Sequence, residues 1–363
     1  MRKLTFAFTG ILLIGALITA CKKETGSSTD VLTSAASKKK SAQHVMTSVF
    51  ATGLNSPRGL KFGPDGMLYV AEAGVGGTQG STDPSACPFT GSSNGGRVSR
   101  IDMNGNRTTV SDQLPSSFGD EGSIEGPADV AFAGNQLYVL VDGAGCIPNV
   151  SNLFNSLVRI GTGGTPTKVA DLGEWLLKDD GVPANPSLDY DPTGVWYSMI
   201  ASGKGFYVLN ANQGTLLNVS TDGQIKLVTD MSTTVGHIVP TVLAERGNLY
   251  MSNLGTFPIM NQSAIYKITP SGNTKEVVSG FSAVLGLVID QQSNMYVLEM
   301  TYGAPFPTPG HGRIVKVAPN GTKQVIVEGL NYPTGMTMGP DGNLYVSNSG
   351  FAPGGEIVKV VLD

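Results

Sequence analysis

Six times along this chain an apolar run meets a tyrosine that opens the same short pattern. The copies read LYVAEAG at Tyr69, LYVLVDG at Tyr138, FYVLNAN at Tyr207, LYMSNLG at Tyr250, MYVLEMT at Tyr296 and LYVSNSG at Tyr345. Successive tyrosines stand 69, 69, 43, 46 and 49 residues apart. A unit that cannot bury its apolar face alone must stack on its neighbours, and about 40–50 residues is what one four-stranded propeller blade needs. The two longer intervals then belong to blades carrying insertions of about 20–25 residues.

The last copy shows the unit. Tyr332 to Met338 reads as a first strand, Gly339-Pro340-Asp341-Gly342 as a tight turn, Asn343 to Asn348 as a second strand and Glu356 to Leu362 as a third. The chain then ends one strand short. Thr47 to Ala51 precedes the first full copy and supplies the missing outer strand. Hairpin turns of the Asn-Gly kind at Asn104-Gly105 and Asn320-Gly321 separate alternating runs elsewhere. With 48 glycines, 14% charged residues and no long amphipathic stretch, the expected fold class is all-β: a six-bladed β-propeller closed by an N-terminal strand that completes the last blade. Such closure hides the edges an open sheet would expose.

Connections from first to second strand, and from third to fourth, are all short turns and share one face. The insertions fall in the other two loop classes, at Gly74 to Gly96, Asp142 to Asn155, Thr301 to Gly312, Pro115 to Gly126 and Gly173 to Asp191. One face is plain and the other elaborated, so binding is expected on the elaborated one.

Ahead of the repeats lies an export signal. Arg2 and Lys3 precede a mostly apolar run from Leu4 to Leu17, and Ile18-Thr19-Ala20-Cys21 follows. The ending matches the bacterial lipoprotein signal, so residues 1–20 are expected to be removed and Cys21 to be acylated. Residues 21–46 read as a flexible Ser/Thr/Lys-rich tether, and 47–363 as the propeller. The expected location is the bacterial cell envelope, with membrane contact through the lipid anchor. A net charge of −4 with scattered Lys and Arg argues against nucleic acid. A monomer is expected. Cys87 and Cys146 remain as an even pair in an exported chain, a disulfide candidate.

The segments GLNSPRGLKFGPDGMLYVAEAGVGG, GGRVSRIDMNGNRTTV, VPTVLAERGNLYMSNLGTFP and GLNYPTGMTMGPDGNLYVSNSGFAPGGEIVKV resemble the ScyD/ScyE family of exported, NHL-like propeller proteins. The resemblance spans about residues 47–363. It implies a six-bladed propeller outside the cytoplasm and no established reaction. The chain departs from the family pattern at Gly126-Pro127-Ala128-Asp129, where Ala128 replaces a histidine.

Two constellations carry chemistry. Three positions after the repeat tyrosines stand Glu72, Asn210, Asn253, Glu299 and Asn348, with Asp142 one residue later in blade two. Carboxylates and amides converging on a channel mouth are hard oxygen ligands suited to Ca²⁺. The competing reading is that each satisfies backbone groups at its own strand end. The second is an aromatic rim of Phe89, Phe257, Tyr302, Phe306 and Phe351, with His311 beside it, suited to recognition of a small molecule, glycan or protein. Residues following the strand-opening prolines are Arg58, Ala128, Thr193, Thr241 and Thr334, which do not form the carboxylate–amide cage of calcium-dependent lactonases. No motif pairs Ser or Cys with a base. A binding or scaffold module is therefore favoured over an enzyme, the alternative being a metal-assisted hydrolase or lyase using the polar ring.

Overall fold

Short apolar strands, such as Leu68–Glu72 buried along its whole length, punctuated by positive-φ glycines such as Gly66 and Gly342 in the tight turns, assemble into six antiparallel sheets. The computed structural model describes residues 45–362 apart from 84, 120–122, 179–190, 270 and 352. Each sheet is one blade, and the chain forms a six-bladed β-propeller. The inner strands are Pro57–Phe62, Pro127–Ala133, Trp196–Ser202, Pro240–Glu245, Val284–Ile289 and Gly335–Met338. Each lies against the next, and the last lies against the first, so the ring closes.

Closure uses the N-terminal strand. Met46–Asn55 pairs antiparallel with Pro353–Val361, from Met46 opposite Val361 to Asn55 opposite Pro353, and becomes the outer strand of blade six. The chain thus enters the propeller on the short-turn face and reaches the other face at Asn55. Between blades, cores such as Tyr138, Leu140, Trp196, Phe206 and Val208 bury apolar area worth about 25 cal/mol per Å².

The elaborated face is built differently from a set of loops. In blade one the insertion lengthens a hairpin: Thr90–Ile101 and Arg107–Phe118 are 12 residues each and pair from Ile101–Arg107 out to Thr90–Phe118. Residues expected as loop at Pro115 therefore lie in a strand. Leu172–Lys178, also expected as loop, is a helix. Leu172, Trp175 and Leu176 recur at helical spacing and pack into the core between blades two and three, while Asp171 caps the helix by accepting from the Glu174 amide at 2.9 Å. Cys87 and Cys146 form a disulfide with Cα atoms 5.7 Å apart, joining the second-to-third-strand loops of adjacent blades.

Candidate ligand site at the channel mouth

Strand register places two rings of side chains around the central channel on the elaborated face. Pro57 pairs with Glu72, Pro127 with Val141, Trp196 with Asn210, Pro240 with Asn253 and Val284 with Glu299. One residue further along each inner strand stand Arg58, Ala128, Tyr197, Thr241 and Leu285, with Thr334 at the corresponding place in blade six. One residue beyond the second strands of blades one to five come Ala73, Asp142, Ala211, Leu254 and Met300. Apart from Thr334, all of these line one cavity of about 230 Å³, together with Glu125, Phe306 and Phe351.

Side chains alternate along a strand, and this sorts the sequence candidates. Glu72, Asn210, Asn253, Glu299 and Asn348 are buried and each finds partners in its own blade or in the crossover entering it. Glu72 accepts from the Asn55 amide at 2.6 Å and pairs with Arg97 at 2.6 Å. Asn210 accepts from the Val195 amide at 3.3 Å, and Asn253 bonds the Ile238 carbonyl at 2.9 Å and the Ala264 amide at 2.8 Å. Glu299 accepts from the Ser282 amide at 2.6 Å and from Arg313 at 2.5 Å; burial still pushes its carboxyl upward. Asn348 accepts from the Asn331 amide at 2.9 Å and donates to Glu356 at 2.8 Å. These side chains clamp the crossovers. Among the described residues no group of three or more His, Cys, Asp or Glu is placed to hold a metal ion.

Asp142 belongs elsewhere. Val141 fills the clamp position of blade two, so Asp142 falls one residue later and lines the cavity with Ala73, Ala211, Leu254 and Met300. It accepts from the Trp196 amide at 2.9 Å. Burial first, then the like charges of Glu125 and Asp191, push its carboxyl well above the usual range, against the pull of Arg58.

Arg58 is the other charged departure from the rings. It is 9% exposed, donates through Nη2 to the Ile124 carbonyl at 2.6 Å and lies over the Phe351 ring at 5.5 Å. No carboxylate among the described residues lies within ion-pair distance of it.

Tyr197 crosses the channel. Its hydroxyl, on blade three, donates to the Thr334 carbonyl of the opposite blade six at 3.2 Å, and burial pushes its phenol pKa up so that it stays a donor. The ring forms the floor of the mouth cavity and the roof of a smaller space of about 20 Å³ further down the channel. Asp129 faces that lower space, fully buried and accepting from the amides of Met199 and Val130, both at 2.9 Å. The inner strand of blade three begins at Trp196 and not after Pro192, so Tyr197, and not Thr193, is the counterpart of Arg58. Thr193 instead bonds Asn155 at 2.9 Å.

Of the aromatic rim, Phe306 and Phe351 line the cavity. Phe257 is 73% exposed with its ring 6.1 Å from that of Phe306, and Tyr302 is 41% exposed and packed under Arg313. His311 is exposed and contacts the Tyr302 carbonyl at 3.1 Å. Phe89 packs beside the disulfide with Ala144 and Ile147, away from the cavity-lining set. Cys21 and residues 22–44 of the expected tether lie outside the described residues.

The fold and the mouth define a class: a six-bladed β-propeller with a cavity over the channel on its long-loop face. Solved structures share the fold. A streptogramin B lyase is 13% identical over 89% of this chain and 99% of that one, with a TM-score of 0.51. A putative oxidoreductase (glucose dehydrogenase) from Thermus thermophilus is 17% identical over 87% and 100%, TM-score 0.53. A gluconolactonase from Xanthomonas campestris is 10% identical over 88% and 91%, TM-score 0.55. Identities this low carry the fold alone. No family model and no curated protein matches the chain.

Proposed function

We propose that this is an envelope lipoprotein of the ScyD/ScyE type whose propeller binds a small molecule at the channel mouth. The observation that carries this reading is the mouth cavity. It is concave, about 230 Å³, apolar on the side of blades four to six and lined on the other side by Arg58, Glu125, Asp142 and Tyr197. A largely apolar pocket with a few convergent polar groups is the usual form of a small-ligand site. Its polar members break the repeat. A side chain demanded by the blade itself recurs in every blade, whereas Arg58 and Asp142 each occur once. Binding is preferred over metal-assisted hydrolysis because the ring glutamates are already held by arginines and backbone amides.

Acylation at Cys21 would attach the protein to the membrane. Cys21→Ala should abolish incorporation of labelled acyl chain and release the protein; acyl labelling equal to wild type would refute the anchor. For the binding reading, a screen of small neutral fragments by thermal shift should yield compounds that raise the melting temperature. Ala211→Phe, which fills the mouth, should erase those shifts. Shifts that persist in Ala211→Phe would place binding elsewhere.

A further inference from the structure

We propose that the mouth cavity selects an α-amino acid with an apolar side chain, its carboxylate received by Arg58 and its ammonium by the Asp142–Glu125 pair. This deepens the binding reading and rests on it. The two mouth rings hold small, apolar or hydroxyl-bearing residues everywhere except at Arg58 in blade one and Asp142 in blade two. Ionisable groups of both signs therefore line one cavity, Arg58 from blade one and Glu125 and Asp142 from the entrance and second strand of blade two, with no ion pair between Arg58 and a described carboxylate.

A ligand with a single charge suits only part of this lining. A simple anion would face Glu125 and Asp142, and a simple amine would face Arg58; burying either beside a like charge is unfavourable. A zwitterion carries both charges a few bonds apart: its carboxylate would meet Arg58, and its ammonium would favour the ionised form of Asp142 that burial and Glu125 disfavour. Arg58 has the capacity for it: a guanidinium has five N–H donors, and beyond the bond to the Ile124 carbonyl and the interaction with the Tyr197 hydroxyl it keeps donors to offer. On the acidic side, Asp142 already accepts from the Trp196 amide, which holds the carboxyl in place. Leu285, Met300 and Phe306 of blade five form an apolar wall across the ring from blade two that would take the side chain, and Phe351 adds an aromatic face beneath Arg58. The cavity of about 230 Å³ corresponds to roughly eight waters, the scale of leucine or phenylalanine. Tyr197 closes the floor, so a longer ligand cannot continue down the channel.

The test is calorimetric titration of the purified full-length chain with L-leucine and L-phenylalanine, against N-acetyl-L-leucine and L-leucinamide. Removing either charge should weaken binding by on the order of tenfold or more, as for loss of one partner in a desolvated charge pair. Arg58→Gln should remove the preference over leucinamide, and Asp142→Asn combined with Glu125→Gln should remove the preference over the acetylated analogue. Arg58→Lys should retain part of it. Leucinamide binding as tightly as leucine, or N-acetyl-leucine doing so, overturns the proposal. Failure of every amino acid while neutral fragments still occupy the mouth overturns the ligand class and leaves the binding reading standing. Failure of both refutes both. If Arg58→Gln does not fold, the comparison of analogues on the wild-type chain decides alone.

Discussion

In three of the six blades the hydroxyl of the repeat tyrosine makes a bond that phenylalanine in the same place could not. Tyr69 donates to Asp65 at 2.9 Å, Tyr345 to Asp341 at 3.0 Å and Tyr296 to Asp290 at 3.2 Å, each pinning the turn before its own strand. Two of these rings also pack on an aromatic neighbour across a blade boundary: Tyr69 sits edge-on to Phe132 at 4.9 Å, and Tyr345 to Phe62 at 5.1 Å. Burial raises the Asp341 carboxyl, but Lys359, Asn343 and Tyr345 outweigh it and hold it down at about 2. Its contribution is therefore complete above the unfolded carboxyl value of ~4 and is lost as pH falls through the folded value. Asp341→Asn should cost about 1 kcal/mol at neutral pH and flatten the acid limb of a melting-temperature profile. Asp142 has the opposite sign. Its carboxyl is raised in the folded protein, so stability declines as pH climbs from ~4 through the raised value. Asp142→Asn, which keeps an oxygen for the Trp196 amide, should melt higher than wild type at pH ~7, with the difference shrinking toward pH ~4.

At the level of elements, the polar ring is a set of clamps on the blade-to-blade crossovers. Asn253 makes three bonds, to the Ile238 and Gln262 carbonyls and the Ala264 amide, at 2.9, 3.2 and 2.8 Å. Asn253→Ala leaves buried backbone groups unpaired and should cost about 2–3 kcal/mol in denaturant unfolding. The disulfide acts on loops that the strands hold loosely, since Cys87 and Cys146 both lie between strands and not within them. Replacing both by serine should cost about 2–4 kcal/mol, read as a lower unfolding midpoint. Phe89 and Ile147, packed on that staple, should lose protection in hydrogen exchange before the inner strands do.

Across the whole molecule, two contacts span the ring. Pairing of Met46–Asn55 with Pro353–Val361 joins the two ends of the propeller, and Tyr197 bridges blades three and six through the channel. Deleting residues through Asn55 would leave blade six with three strands and an exposed edge. Association measured by light scattering should follow. Tyr197→Ala should merge the mouth cavity with the space below it and destabilise the protein by about 3–5 kcal/mol.

The tyrosine period determines the fold class and the blade count, and the strand tally and loop lengths read against it give the terminal closure and the elaborated face, because repeats report a geometry that every blade must satisfy. The same period leaves the polar ring with two readings, a ligand set or groups that satisfy their own strand ends. Residues that recur at one place in the blades, such as Glu72 and Asn348, answer to the blade's own backbone and clamp it. The mouth cavity was hidden in the sequence because it consists of departures: Val141 shifts Asp142 onto the channel side by one residue, and Trp196 opens a strand that a proline four residues earlier seemed to start. Arg58 was visible, but nothing in its neighbourhood along the chain announces a cation that is nearly buried. Burial, register and the company of Glu125, Asp142 and Tyr197 arise when three blades meet at one axis, and no single repeat encodes that meeting.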